Sequence, residues 1–356
     1  LRISQLCARI EFGDAVSNHV LEIDKALRSW GHETAIYANT LDEFGRQVAL
    51  PDSAYSERMG SSDDLLIYHY SLHCPNYTQY LETKNKRILI YHNITPPEFF
   101  EGYDKGVAEF CRQGRDMLAG LKGCDLALGD SEYNRLELVE AGFDEDRTGV
   151  LPIFVDYAKL LSLKGRADVA ADPGDLNVIF VGRAVPNKRI EDLVRAFYYL
   201  NRCVTSSSRL VLVGSSWVDR YDAQIRWLID SYGLFDRVTV TGRVTDAELA
   251  ACYDAADVFL SMSEHEGFSV PLVECMAFDV PIVAYRSTAI PFTLQGAGLM
   301  FDDKDFAKVG ELLALVRGDA ELRERVLAGQ RERLKAFSPE SVRAVLREAV
   351  ERVAGS

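Results

Sequence analysis

Short apolar runs alternate with segments of helical period along nearly the whole chain, and the series is written twice. The first series reads "RISQLCARI", "ETAIYA", "DLLIYHY", "RILIYHN", "DLALGD" and "GVLP". Between these runs lie helix patterns such as "SNHVLEIDKALRSWG", which closes on Gly31 as a C-terminal cap should. That is the pattern of parallel βα units and predicts an α/β fold with a doubly wound sheet. The segment "LSLKGRADVAADPGDLN" breaks it with Gly, Pro and small polar residues, and the alternation restarts with "VIFVGR", "RLVLVG", "RVTVTG", "DVFLSMS" and "PIVAY". The expected architecture is two Rossmann-like domains, residues 1–165 and 166–337, facing a central cleft where ligands of such folds bind. A closing helix over 338–356, "SPESVRAVLREAVERV", follows a Ser-Pro start and is free to pack anywhere, including back on the first domain.

A chain of 356 residues is long enough for two cores, and 47% hydrophobic with 26% charged residues is a globular balance. The formal charge of −14 argues against a nucleic-acid partner, because phosphate backbones favour clustered Lys and Arg. Seven cysteines carry no C-x-x-C pair and read as reduced, buried residues of a cytoplasmic protein. No apolar run approaches the ~20 residues that span a bilayer, and the first residues read as a strand rather than a signal peptide.

Chemistry concentrates at the ends of two strands. After "VIFVG" comes "RAVPNKR", which sets Arg183 and Lys188 in the loop beyond the strand, with Gly182 permitting close backbone approach. Two cations there suit a diphosphate, although a solvated basic loop would look the same. The second anchor is "SEHEGFSVPLVECMAF". Pro271 sits well in the first turn of a helix, whose free amides form an anion site. Glu274 in the same turns repels phosphate but accepts hydrogen bonds from sugar hydroxyls, as the ribose-binding acid of dinucleotide folds does. Glu266, nearer the open side of the loop, is free to meet a second set of hydroxyls, so that the two acids bracket a nucleotide sugar. "SEHE" does not form a metal site, since three consecutive side chains do not readily converge on one ion.

The Glu266-x7-Glu274 spacing, the "GR" with Lys188, the "VTGRV" turn and the two-domain layout resemble the GT-B-fold retaining glycosyltransferases of the group 1, family 4-like type. These include bacterial mannosyl- and glucosyltransferases of surface-polysaccharide assembly. The resemblance implies that Arg183 and Lys188 hold the donor diphosphate and stabilise its charge on departure. By the same resemblance Glu274 binds the ribose and Glu266 the transferred sugar. Backbone at Phe268, Ser269 and Val270 touches the diphosphate or sugar, and Gly242 to Val244 lies along the base. His92, ending "RILIYH", lies beside the donor sugar in the family, and a structural histidine is the alternative. "EFGDAVSNH" corresponds to the glycine-rich loop over the diphosphate, with the usual double glycine reduced to Gly13 and Asp14. Asp14 is expected to point to the acceptor or to cap the following helix.

The resulting expectation is a cytoplasmic hexosyltransferase acting with retention on a GDP- or UDP-sugar, with a saccharide or lipid-linked acceptor and no cofactor or metal. The rivals are a nucleotide-sugar 2-epimerase or sugar phosphorylase on the same fold, and a non-catalytic sugar-nucleotide sensor. "YSLHCPNYTQY" suits a saccharide acceptor or a loop packed on itself. "KNKR" at Lys84 to Arg87 suggests a peripheral contact with the inner face of an anionic membrane, a solvated turn being the alternative.

Overall fold

The computed structural model of the chain describes residues 1–167 and 174–355, so part of the Gly- and Pro-containing linker singled out above lies outside the described residues. The chain forms two compact units: Leu1–Glu101, Lys105–Val155 and the stretch from Phe337 onward make the first, while Gly102–Asp104 and Asp156–Ala336 make the second.

The first unit carries seven strands: β1 (Arg2–Ile10), β2 (Glu33–Leu41), β3 (Leu50–Pro51), β4 (Leu65–Tyr70), β5 (Lys86–Tyr91), β6 (Leu126–Gly129) and β7 (Thr148–Val150). They pair in the order β3-β2-β1-β4-β5-β6-β7 with parallel neighbours throughout. Alternate residues of a strand face opposite sides, and here the two sides differ in chemistry. Leu65 and Ile67 of β4, with Ile88 and Ile90 of β5, join an aliphatic core beneath the helix Ala15–Ser29. Leu66, Tyr68 and Tyr70, with Leu89 and Tyr91, join a tyrosine-rich core on the other side. Buried phenols there find acceptors: Tyr70 donates to the Gly114 carbonyl (2.6 Å), Tyr80 to Leu121 (2.8 Å) and Tyr55 to Asn85 Oδ1 (2.6 Å).

The helix Pro339–Ala354 closes the aliphatic side, burying Val342, Leu346, Ala349, Val350 and Val353 against strand residues of the same unit. Lys86 Nζ caps its end by donating to the carbonyls of Val353 (3.1 Å) and Ala354 (3.3 Å). Arg87 donates to Gly123 and Tyr80 carbonyls. Lys86 and Arg87, two of the three cations of "KNKR", are therefore engaged by carbonyls of their own unit, which favours the alternative of a solvated turn over a membrane contact.

The second unit carries β8 (Leu176–Val181), β9 (Ser208–Val213), β10 (Val238–Gly242), β11 (Val258–Ser261), β12 (Ile282–Tyr285) and β13 (Leu299–Phe301) in the order β10-β9-β8-β11-β12-β13, again parallel throughout. The two parallel sheets of seven and six strands with flanking helices are those of the GT-B fold. All seven cysteines are free; five are buried, whereas Cys111 is half-buried and Cys203 exposed, against the expectation that all are interior. Among the described residues no helix is long and apolar enough to cross a membrane.

Candidate active site

In the second sheet the chain winds outward from β8 through β9 to β10, then returns to the centre and winds the other way from β11. The loops leaving β8 and β11 therefore diverge and open a crevice at the carboxyl edge of the sheet. Residues 182–189 and 262–269 form those two loops, and they hold Arg183, Lys188, Glu266, Phe268 and Ser269. Lys188 Nζ and Glu266 Oε2 meet directly across the crevice as an ion pair, with side chains 19% and 7% exposed. Arg183 is exposed at the start of the first loop.

The acid-bearing loop is fastened from behind. Glu266 N donates to Thr288 Oγ1 (2.8 Å), Ser287 Oγ to the Ser263 carbonyl (2.6 Å) and Thr293 Oγ1 to the Phe268 carbonyl (2.7 Å). Lys304 Nζ binds Glu264 Oε1 (2.7 Å) and Asp192 Oδ2 (2.9 Å) and lies 4.7 Å from the centre of the Tyr285 ring. At its far end the loop turns through Ser269, which adopts left-handed φ 71° and ψ 77° before the helix Val270–Ala277. A non-glycine residue in that region carries strain, and such strain collects at functional sites. No side chain caps this helix start, so its first amides and positive dipole end suit an anion.

The floor beside these loops is bare backbone. Gly182 (φ 152°), Gly214 (φ 134°) and Gly242 (φ 69°) end the adjacent strands β8, β9 and β10. Gly214 N donates to the Gly242 carbonyl (3.0 Å), and a Cβ on Gly214 would lie 2.1 Å from the Gly182 carbonyl oxygen. No side chain fits there. Val244 lies half-buried between β10 and the helix Asp246–Asp254.

Glu274 lies in the second turn of the helix that starts at Val270, with 8% of its surface exposed. Its Oε2 accepts a 2.6 Å hydrogen bond from Tyr253 OH. Burial pushes the carboxyl up to about 7, against the lowering effect of the Tyr253 bond. Tyr253 was not anticipated: it lies in "DAELAACYDAA", which reads as an ordinary helix and gives no local sign of a polar partner.

In the first unit, Gly13 adopts φ 72° and Asp14 caps the helix Ala15–Ser29, its Oδ2 accepting from Ser17 N and Oγ (both 3.0 Å). Of the two roles considered for Asp14, the cap is the one observed. His92 does not reach the surface with its ring, whose exposure is 0%. Its Nδ1 faces both oxygens of Asp130 (3.0 Å) and its Nε2 faces His69 Nδ1 (2.9 Å), while His69 Nε2 faces Gln5 Oε1 (2.9 Å). Gln5 sets the direction of this chain. Its Nε2 donates to the Val20 carbonyl (3.1 Å), so its Oε1 accepts the His69 Nε2 proton. A neutral His69 then accepts at Nδ1 from His92 Nε2, and one proton is shared between His92 Nδ1 and Asp130. In this conformation His92 is an interior bridge rather than a group presented to a sugar, which favours the structural alternative for this residue.

Burial holds His69 and the nearby His19 well below the ordinary histidine value of 6.5, with the charge of His92 adding to the effect. The sign follows from linkage: the unfolded chain takes up these protons near 6.5 and the folded unit resists them, so stability present above that pH is lost as pH falls through it. Urea melts from pH 7.5 to 5 should lose about 1.4 kcal/mol per pH unit for each histidine below 6.5. His69→Gln should shallow the slope. A profile flat over that range would show that these rings are protonated equally in both states.

Residues 164–333 match the model of the family described as "Glycosyl transferases group 1". The second unit is thus of the group 1 glycosyltransferase type. Similar curated proteins include the O-antigen chain mannosyltransferase B of Escherichia coli, 26% identical over 76% of this chain and 71% of that protein. A D-inositol 3-phosphate glycosyltransferase of Pseudarthrobacter chlorophenolicus is 34% identical over 46% of this chain and 40% of its own length. The fold of this glycosyltransferase is shared with the solved Anabaena protein HepE in complex with UDP and glucose (TM-score 0.78, 15% identity, 99% of each chain). It is shared too with a sucrose-phosphate synthase of Thermosynechococcus elongatus (TM-score 0.76, 18% identity, 100% of each chain). Among the described residues of the glycosyltransferase no cluster of His, Cys, Asp and Glu is arranged to hold a metal ion.

Proposed function

We propose that this glycosyltransferase moves a hexose from a GDP- or UDP-sugar to a hydroxyl of a saccharide or lipid-linked acceptor, with retention, in glycan assembly. The observation that carries the reading is the Lys188–Glu266 pair at the switch point of a group 1 glycosyltransferase domain. A cation and an acid within one bond of each other are the two groups a nucleotide sugar needs at its scissile linkage: one for the departing diphosphate, one for the sugar hydroxyls. The mannosyltransferase relatives support a hexose, and beside Gly242, where no atom lies within 4 Å of the position a Cβ would take, the backbone is open to a ligand.

Chemistry here is electrostatic. As the glycosidic bond breaks, charge develops on the diphosphate, and Lys188, Arg183 and the helix start at Val270 stabilise it more in the transition state than before it. The departing diphosphate accepts the proton of the incoming hydroxyl, which keeps acceptor and leaving group on one face and preserves the anomeric configuration.

Incubation with a panel of UDP- and GDP-hexoses, with nucleoside diphosphate release and product anomer read by NMR, tests the reading. A sugar or sugar nucleotide epimerised at C2 would replace it with the epimerase alternative. With two cations supplying the charge, turnover should persist in EDTA. Loss of activity in EDTA and its return with manganese or magnesium would reassign how the diphosphate is neutralised.

A further inference from the structure

Lys188 and Glu266 sit on different loops, and a side chain on each is only as well placed as the spacing of the two main chains. One residue sets that spacing. Asn187, 4% exposed on the short turn Pro186–Lys188, accepts Glu264 N at its carbonyl (2.9 Å) and donates Nδ2 to the His265 carbonyl (2.9 Å). Both bonds land on the residues that immediately precede Glu266, as Asn187 immediately precedes Lys188. The cation and the acid thus hang from a two-bond clasp one residue behind them.

The clasp is built at a cost. Asn187 Oδ1 is buried with no hydrogen-bond partner, an unfavourable arrangement that an apolar side chain of similar size would avoid. Arg189 on the other side of Lys188 adopts left-handed φ 52° and binds Glu191 (3.1 Å), Asp192 (3.2 Å) and Glu264 (3.4 Å), so the loop is held again beyond the cation. Strain and an orphaned acceptor flank Lys188.

We infer that Asn187 is a positioning residue for sugar transfer: its side-chain amide ties the loop after β8 to the loop after β11 and thereby sets the distance between Lys188 and Glu266. This rests on the reading that those two groups act on the donor. Misplacement by about an ångström costs on the order of a hundredfold in rate, whereas simple binding of a flexible diphosphate tolerates it.

Asn187→Ala should lower kcat about 10- to 100-fold while the calorimetric affinity for UDP or GDP changes less than about threefold. Asn187→Asp has the same shape but offers the His265 carbonyl an acceptor in place of a donor, and should be no better. In a Glu266→Gln background Asn187→Ala should add little, because the two act as one unit. A second readout needs no activity. The coupling of Lys188 and Glu266 in urea unfolding, measured from Lys188→Met, Glu266→Gln and the double variant, should shrink when Asn187 is alanine. Unchanged coupling, or a parallel loss of nucleotide affinity and kcat, overturns the inference. No transfer with any donor, alongside a shrunken coupling, overturns the proposed function and leaves the clasp standing.

Discussion

Lys188→Ala is expected to lower kcat/KM for transfer by about 10²–10³-fold, the loss seen when one preorganised charge-stabilising group is removed from a transition state. It should also destabilise the second unit. Glu266 is buried and Lys188 is its ion-pair partner, so removing the lysine strands a carboxylate, a change worth roughly 3–5 kcal/mol for a buried pair. Stability and catalysis can be separated by the double variant Lys188→Met with Glu266→Gln, which removes the stranded charge. It should recover most of the unfolding midpoint and none of the turnover. Recovery of turnover would mean that the pair serves the fold and that the departing charge is met elsewhere.

Replacement of the two glutamates should have opposite effects on nucleotide binding. Glu274→Ala is expected to weaken UDP or GDP binding roughly ten- to a hundredfold, from the loss of charge-assisted bonds worth about 1.5–3 kcal/mol. Glu266→Gln should strengthen it, by roughly two- to tenfold, because Lys188 is released from a competing acid before the diphosphate arrives. The same substitution should lower turnover, since the sugar loses its partner. A Glu266 that met only the transferred sugar would leave nucleotide affinity unchanged when replaced; its ion pair with Lys188 makes the difference.

Glu274 adds a pH signature. Its carboxyl ordinarily titrates near 4.5 and is raised by burial to about 7. A raised value means the fold favours the protonated form, so stability present below 4.5 is lost as pH rises toward 7. Ribose bonding, the role expected of Glu274, prefers the ionised form, so nucleotide affinity should rise across the same interval. In Glu274→Gln both trends should disappear together. If affinity in that variant still climbs from pH 6 to 8 as in the wild type, the titrating group belongs to the nucleotide or to another residue.

Period and punctuation made most of the fold legible. Every long strand stands where an apolar run ends in Gly, Pro or a polar cluster, as with "RISQLCARI" and β1. The two strands that escaped notice, β3 at Leu50–Pro51 and β13 at Leu299–Phe301, are two and three residues long, too short to show a period. At the site, the charged residues were legible because cations follow one strand end and acids follow another. Their supports did not. Thr288, Lys304 and Tyr253 act across the fold on Glu266, Glu264 and Glu274 from other elements, and no local pattern marks a partner 20 to 40 residues away. His92 was visible for the opposite reason: a histidine after a strand invites a role, and only burial reveals that its nitrogens are already engaged.

The helix Pro339–Ala354 bears on how the molecule is made. It supplies Val342, Leu346, Val350 and Val353 to the same core as Ile3 and Ile23, so segments on either side of the whole second unit in the chain share one interior. The usual order, in which the N-terminal domain finishes first during synthesis, is reversed. The second unit, drawn mainly from the continuous stretch Asp156–Ala336, can complete its sheet while the first waits with an open aliphatic face. Throughout that interval the first unit exposes its aliphatic face, and a chain stopped before Phe337 is expected to complete the second unit while leaving that face uncovered.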